Sequence, residues 1–301
     1  MRAIVTGGMG FIGSNLVDRL IDDGHSVAVL DNMSTGHVEY GNKNAKFHHA
    51  DVSNSLWRHE EVFRDADVVY HLAAKTNVLE SITDPWAYNE TNVNGVFNVL
   101  DISRRAGVGR VVFSSSSAVY GDGITYRMSE IDSRPKPLSP YGYGKLMGEM
   151  HCKMFNETYG LDVISLRYFN VYGERQPTVG SYCPVISVFA QQRLEGLMMT
   201  IRGNGDQIRD YVHVGDVVNA NILAATNGNV DAGIYNIGTG IGTSVNDVAD
   251  MIGGKSVNVV SAKEIYRSIA DNGAASRRLG WEPTVDLDEW IDSYKEKIGL
   301  E

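Results

Sequence analysis

Apolar residues in this chain follow two regimes, short continuous runs and longer stretches in which they recur at helical spacing. Ala3 to Val5, Ser26 to Leu30, Lys46 to His49, Val68 to Leu72, Arg110 to Ser114 and Val163 to Arg167 are the runs. Short segments of this kind, rich in Val and Ile, read as strands, and those without an alternating polar face are buried on both sides. Asn15 to Ile21, Leu56 to Phe63, Asn92 to Ala106 and Tyr141 to Tyr159 carry the helical spacing between them. Strand and helix in strict alternation predict an α/β protein with a doubly wound parallel sheet. Ligands of such sheets lie beyond the carboxyl ends of the strands, so the residues that follow each run are the candidates for function.

The first run leads straight into TGGMGFIGS and a helix. Gly7 suits a tight turn, Gly10 lets the backbone approach a phosphate, and Gly13 lets the helix lie close on the strand. Phe11 and Ile12 open that helix, whose free N–H groups meet the anion. The Asp23-Gly24-His25 stop and the second run complete a βαβ unit, the Rossmann fingerprint of a dinucleotide site. Asp31 comes about 20 residues after the turn, where a carboxylate accepts from a ribose diol and repels a 2′-phosphate. Asn32, Ser34, Thr35 and Gly36 follow it without an arginine to receive that phosphate, so the expected cofactor is NAD. Asp51 and Val52 after the third run, with Asp51 towards the adenine amino group, extend the site along the sheet edge. Leu72, Ala73 and Ala74 after the fourth leave room for a flat cofactor.

FSSSSAVYGD follows the fifth run, and SPYGYGK opens the next helix. Tyr141 and Lys145 stand at i and i+4 on one helix face, so their side chains are neighbours. An ammonium beside a phenol favours the phenolate, which lets Tyr141 accept a proton well below its unperturbed pKa of about 10. Ser116, at the strand end, is placed to orient a substrate hydroxyl.

A formal net charge of -10 excludes general nucleic-acid binding or an anionic membrane surface, so an anionic ligand has to be met by local positive charge. Cys152 and Cys183 have neither metal-ligand nor disulfide spacing; no metal is expected, and a reducing compartment fits. The chain enters a core strand at once, and no apolar run approaches about 18 residues, so the expected location is cytoplasmic.

TGGMGFIGS, DNMSTG, HLAA, NVNG, FSSSSAVYGD, PYGYGK, LRYFNVYG, RDYVHVGD, YNIGTG and LGWEP occur in this order over nearly the whole chain. The series resembles the extended short-chain dehydrogenase/reductase family, and within it the NAD-dependent nucleotide-sugar epimerases and dehydratases. The resemblance implies a catalytic Ser116, Tyr141 and Lys145, a supporting Asn92, Ser114 beside the cofactor and Tyr168 beside the nicotinamide. It also implies a Rossmann domain over 1–170, rejoined by about 210–238 with its strand-like Ile234 to Ile237. A smaller C-terminal mixed α/β domain of 171–209 and 239–301 would bind the nucleotide sugar. Asn170, Arg175, Arg209, Arg267, Ser268 and Asp271 are the substrate candidates, with the arginines suited to fork onto a diphosphate. The family places another Arg about ten residues before the acid matched by Asp271. Here that place holds Ser261, with Lys263 or Arg267 as substitutes.

A dehydratase of the family carries an Asp-Glu pair after the catalytic serine, and this chain has Ser117 and Ala118. The resemblance therefore points to 4-epimerisation of a UDP-hexose, UDP-glucose or UDP-galactose, through a transient 4-keto sugar. Ser268, small where the epimerases set the room for a 2-N-acetyl group, would also admit the N-acetyl forms. No residue separates uracil from thymine. Another nucleotide-sugar oxidoreductase or dehydratase, or a non-catalytic NAD-binding sensor, is the alternative, and a homodimer through the helices Asn92 to Ala106 and Tyr141 to Tyr159 is the expected assembly.

Overall fold

The structure is a computed structural model that describes residues 1–54, 56–122, 126–178, 183–228, 230–260 and 265–300. Its first half runs β1 (Arg2–Thr6), α1 (Phe11–Asp22), β2 (Ser26–Asp31), β3 (Lys46–His49), α2 (Glu60–Phe63), β4 (Val68–His71), α3 (Val78–Thr83), α4 (Pro85–Asn89), α5 (Gly95–Ala106), β5 (Arg110–Ser116), α6 (Pro140–Tyr159) and β6 (Val163–Tyr168). Then follow β7 (Asn170–Tyr172), α7 (Val185–Leu194), β8 (Met199–Arg202), β9 (Ile208–Arg209), β10 (Tyr211–His213), α8 (Val214–Thr226), β11 (Gly233–Ile237), β12 (Thr243–Ser244), α9 (Val245–Ile252), β13 (Ser256–Val259), β14 (Arg267–Ser268) and α10 (Leu287–Ile298).

Seven strands form one parallel sheet in the order β11-β6-β5-β4-β1-β2-β3. The chain winds outward from β1 through β2 and β3, then returns to the other side of β1 with β4. That reversal is the switch point at which open parallel sheets hold ligands. Alternate residues of each strand feed two cores. Val5, Val29, Tyr70, Val112 and Leu166 pack with Leu16, Val17 and Leu20 of α1 and Val217 and Ala220 of α8. Ile4, Leu30, Val69, Val111 and Val163 pack with Val99 and Leu100 of α5 and Phe155 of α6 on the opposite face. All residues of β4 and β6 are buried, as expected of parallel strands covered on both sides.

Two helices, α3 and α4, lie in a stretch where the sequence suggested none before Asn92. Asn77 caps α3 by accepting from Leu79 and Glu80 N–H, and Asp84 caps α4 ahead of Pro85. The Asp-Pro pair, a cap followed by proline at the first helical position, was the available signal. From α4 the chain continues through a π-helical turn at Glu90–Asn94 into α5. The expected helix from Leu56 begins as a 3-10 turn over Leu56–His59.

A smaller core holds Tyr172, Ile186, Phe189, Met199, Ile201, Val248, Ile252 and Ile291. Within the expected 239–301 segment, Ala275, Leu279 and Trp281 pack into the α1 and α8 side of the large core. Asp216 of α8 fixes this return: its carbonyl accepts from Trp281 Nε1 at 2.8 Å, and its carboxylate accepts from Thr284 Oγ1 and from Thr284 and Val285 N–H. Conversely, Tyr211 of the segment expected in the sheet domain packs in the smaller core. Among the described residues no helix is long and apolar enough to cross a membrane.

Trp281 is fully buried. Trp281→Ala is expected to lower folding stability by about 3–5 kcal/mol in urea denaturation; a loss under about 1 kcal/mol would place the C-terminal turn outside the sheet core.

Candidate active site

The glycine turn is shaped by contacts that no side chain could share. A Cβ on Gly7, which has φ +72°, would lie 2.7 Å from Ala73 N, and one on Gly13 would lie 2.1 Å from Gly7 O. The turn thus bends back on the β4 loop while α1 closes over it. Gly10 precedes α1 without a side-chain cap, and the first turn, which includes Phe11 and Ile12, has no acidic residue. The N–H groups at that end are available to an anion.

Asp31 ends β2 almost fully buried and braces the same turn. Its Oδ2 accepts from Met9 N–H at 3.0 Å and its Oδ1 from Met33 N–H at 2.8 Å. Beyond it, Asn32 accepts from Ser34 N–H and donates to Asp51 Oδ2 at 3.0 Å, which joins the ends of β2 and β3. Thr35 and Gly36 complete this loop, and Gly36 lies against Met9 and Asp31. Burial alone would raise the Asp51 carboxyl, but hydrogen bonds from Ser53 and Asn32 hold it below its ordinary value. Val52 is buried behind it against Gly95. After β4 come Leu72, Ala73 and Ala74, with Ala73 N–H donating to Thr6 Oγ1. Thr6 also shares a 2.7 Å hydrogen bond with His71 Nδ1.

Tyr141 and Lys145 lie one turn apart on α6, which Ser139 caps and Pro140 begins. Lys145 is buried, and its Nζ donates to Ser114 O at 2.7 Å while lying 6.0 Å from the Tyr141 ring centre. Burial pulls Lys145 down to about 8, opposed by the charge of Glu149. Ser116, at the end of β5, accepts from Ala118 N–H at 3.2 Å, so its O–H is left to donate. The register pairs Ser116 with Tyr168. Tyr168 is buried, its hydroxyl donates to Asn221 Oδ1 at 2.9 Å, and burial raises its phenol. Asn92 clasps the backbone of Lys75, accepting from its N–H at 2.9 Å and donating to its C=O at 2.8 Å.

The substrate candidates divide. A small sheet, β12-β9-β14, sets Arg209 beside Ser268 and Thr243. Arg267 precedes Ser268 and stacks over Tyr126 at 4.9 Å. Asp271 accepts from Gly273 N–H, and its own N–H donates to Met128 O. Asn170 donates its N–H to Asp210 O. Arg175, with φ +65°, pairs with Asp18 of α1 at 2.6 Å and stacks on Tyr40. There it lines a cleft with Tyr40, Trp290 and Tyr294, apart from the catalytic candidates, and ties its segment to α1. Ser261 and Lys263 lie outside the described residues.

Two groups escaped the sequence reading. Asp210, fully buried, accepts from Thr239 N–H and Oγ1, Gly240 N–H and Ala270 N–H, and thereby ties the Thr239 turn to the Ala270 segment. Burial raises its carboxyl against those hydrogen bonds. Glu149 and Arg167, also buried, form a bidentate pair at 2.8 and 2.6 Å. Their signals were a carboxylate one turn beyond Lys145 on the same face and an arginine inside an otherwise apolar strand. Among the described residues no cluster of His, Cys, Asp or Glu can hold a metal.

Residues 3–238 match the family described as the NAD dependent epimerase/dehydratase family. A putative UDP-glucose 4-epimerase of Methanocaldococcus jannaschii is 40% identical over 296 residues, covering 96% of this chain and 95% of that one. The solved UDP-glucose 4-epimerase of Thermotoga maritima with UDP-glucose superimposes with a TM-score of 0.93 at 37% identity, over 99% of this chain and all of that one. A dTDP-glucose 4,6-dehydratase of Streptomyces venezuelae, solved with NAD, gives 0.87 at 30% identity over 99% and 98%. The glycine cradle, the uncapped start of α1 and the carboxylate of Asp31 fit that cofactor. The chain belongs to the NAD-dependent epimerase/dehydratase family of extended short-chain dehydrogenases/reductases, with NAD as its cofactor.

Proposed function

We propose that the protein is a 4-epimerase of UDP-hexoses, acting on UDP-glucose and UDP-galactose and, through the small Ser268, on their N-acetyl forms. The observation that supports this reading is Lys145, one helical turn from Tyr141, donating to Ser114 O two residues before Ser116 at the carboxyl end of β5, which is followed by Ser117 and Ala118 and not by an acid pair. NAD, when bound, supplies hydride exchange at the sugar C4. Tyr141 takes the proton from the 4-hydroxyl and later returns it, and the Lys145 ammonium offsets the charge that Tyr141 holds in between. Ser116 donates its O–H to the same oxygen and fixes its direction. Gly7, Gly10, Phe11, Ile12, Gly13, Asp31 to Gly36, Asp51 and the Leu72 to Ala74 loop would hold the cofactor, and Arg209 and Arg267 would supply the diphosphate with the positive charge that the acidic chain lacks. Elimination of water would need a further acid and base, which neither Ser117 nor Ala118 provides.

Ser268 is buried next to Arg209, so its size bears on any group attached to the sugar there. Phe97 of α5 and Tyr143, Met147 and Met150 of α6 are exposed, which supports a homodimer through these helices. Cys152 and Cys183, which form no disulfide, suit the cytosol.

Incubation with UDP- and TDP-hexoses and separation of the products tests the whole reading: UDP-galactose is expected to interconvert with UDP-glucose without net change at the nicotinamide absorbance. Stoichiometric NADH formation or a 4-keto-6-deoxy product would replace it. Tyr141→Phe is expected to lower kcat by at least about 100-fold with NAD still bound; full activity would sink the proton-transfer role. Ser268→Tyr should remove turnover of UDP-N-acetylgalactosamine and spare UDP-galactose, and a wild-type protein inert towards the N-acetyl sugar would rule out the wider pocket. Met147→Glu with Met150→Glu should yield a monomer by light scattering, whereas an unchanged mass would move the interface elsewhere.

A further inference from the structure

Lys145 is a buried ammonium with one backbone carbonyl, Ser114 O, as its hydrogen-bond partner at 2.7 Å. Desolvation works against its charge, and the proposed reaction needs that charge beside Tyr141. One turn further along α6, on the same face, stands Glu149, which is also buried. Its carboxylate is held from two strands: Ser115 Oγ donates to Oε1 at 2.5 Å, and Arg167 donates through Nε and Nη2 at 2.8 and 2.6 Å. Arg167 lies 4.6 Å from the Tyr120 ring, and the Tyr120 hydroxyl is fixed by Asn236 Oδ1 at 2.8 Å.

Two ionisable groups beside Lys145 are neutral at ordinary pH. The Cys152 thiol, also on α6, is pushed up to about 12 by burial. The His71 imidazole on β4 is held down to about 3 by burial and by the charge of Lys145. Tyr141 on α6 is the group that the ammonium serves, and β5 contributes Ser114 and Ser115, which carry no charge. Arg167 on β6 is a cation that faces Glu149. The anion that acts on Lys145 is therefore Glu149, which opposes the lowering by burial.

We propose that Glu149, locked by Ser115 and Arg167, is a positioning residue that keeps the Lys145 ammonium charged beneath Tyr141. The inference rests on the proposed proton transfer for its purpose, yet it concerns a charge that can be read without turnover. Glu149 also ties Ser115, the neighbour of Ser116, to the helix that carries Tyr141, so one carboxylate serves both charge and geometry. Lys145 is charged below its pKa and loses its charge as pH rises through it. Removing Glu149 moves that loss to lower pH.

The test is a pH titration of lysine side chains labelled with 13C at Cε, followed by NMR on the full-length protein, with the Lys145 signal assigned by its absence in Lys145→Arg. In Glu149→Gln the midpoint of Lys145 is expected to fall by about 1 pH unit or more, and the alkaline limb of kcat for UDP-galactose should move down with it. Should the unpaired Arg167 prevent folding, Glu149→Gln with Arg167→Met removes both buried charges, an exchange that proteins often tolerate. The Lys145 midpoint is expected to fall there as well, by less, since the repulsion from Arg167 is lost too. An unchanged midpoint in a folded variant, even with kcat reduced at every pH, overturns the inference and leaves Glu149 as a packing residue. A wild-type protein that turns over no UDP-hexose overturns the proposed function instead, and the NMR titration still decides the role of Glu149.

Discussion

Helix α6 lies on the sheet as closely as its glycines allow, and the catalytic geometry hangs on that approach. A Cβ at Gly142 would come within 2.7 Å of Ala118 O, and one at Gly148 within 2.6 Å of the Phe113 ring. At Gly144 the neighbour is Asn92, at 3.3 Å. With larger residues the helix would ride higher, and Lys145 could not reach the carbonyl of Ser114. The same closeness buries Lys145, Glu149 and Cys152 together, so the chemistry of the site is set in a region of low dielectric. Charge there is costly without a partner and strong in its effects when it has one.

The chain as a whole is acidic, with a net charge of -10, yet its candidate site gathers cations. Lys145 stands one helical turn before Glu149 and Arg167 pairs with it, and Arg209 and Arg267 lie on adjacent strands of the small sheet. Local placement overrides the sum. A surface that repels anions in general can still bind one where a helix N-terminus or a few guanidinium groups supply local positive charge.

Buried aspartates assemble what the parallel sheet alone would leave loose. Asp210 gathers the Thr239 turn and the Ala270 strand end, and Asp216 pins the Thr284 segment and Trp281 onto α8. Each carboxylate accepts several hydrogen bonds from segments remote in sequence, which satisfies backbone N–H groups that irregular structure would otherwise bury unpaired. The smaller core is thus tied to the larger one by polar hubs as well as by apolar packing.

The parallel sheet, the glycine cradle with Asp31, and the Tyr141 and Lys145 pair were legible in the sequence because each depends on local spacing: a period of two or of 3.6, or a turn within one βαβ unit. The pairing of Arg175 with Asp18 was not legible, because an arginine's reach to a residue remote along the chain leaves no mark in its neighbours. The return of Trp281 to the large core, the clasp of Asn92 on Lys75 and the hub at Asp210 were hidden for the same reason. Glu149 is the instructive case, since its spacing from Lys145 was visible while its partners, Ser115 and Arg167, came from strands that only folding brings under the helix. Sequence alone decided which residues share a face, because backbone periodicity is local. Which charges meet across faces was decided by the tertiary structure, because burial and pairing depend on distances that the chain sets only when it closes on itself.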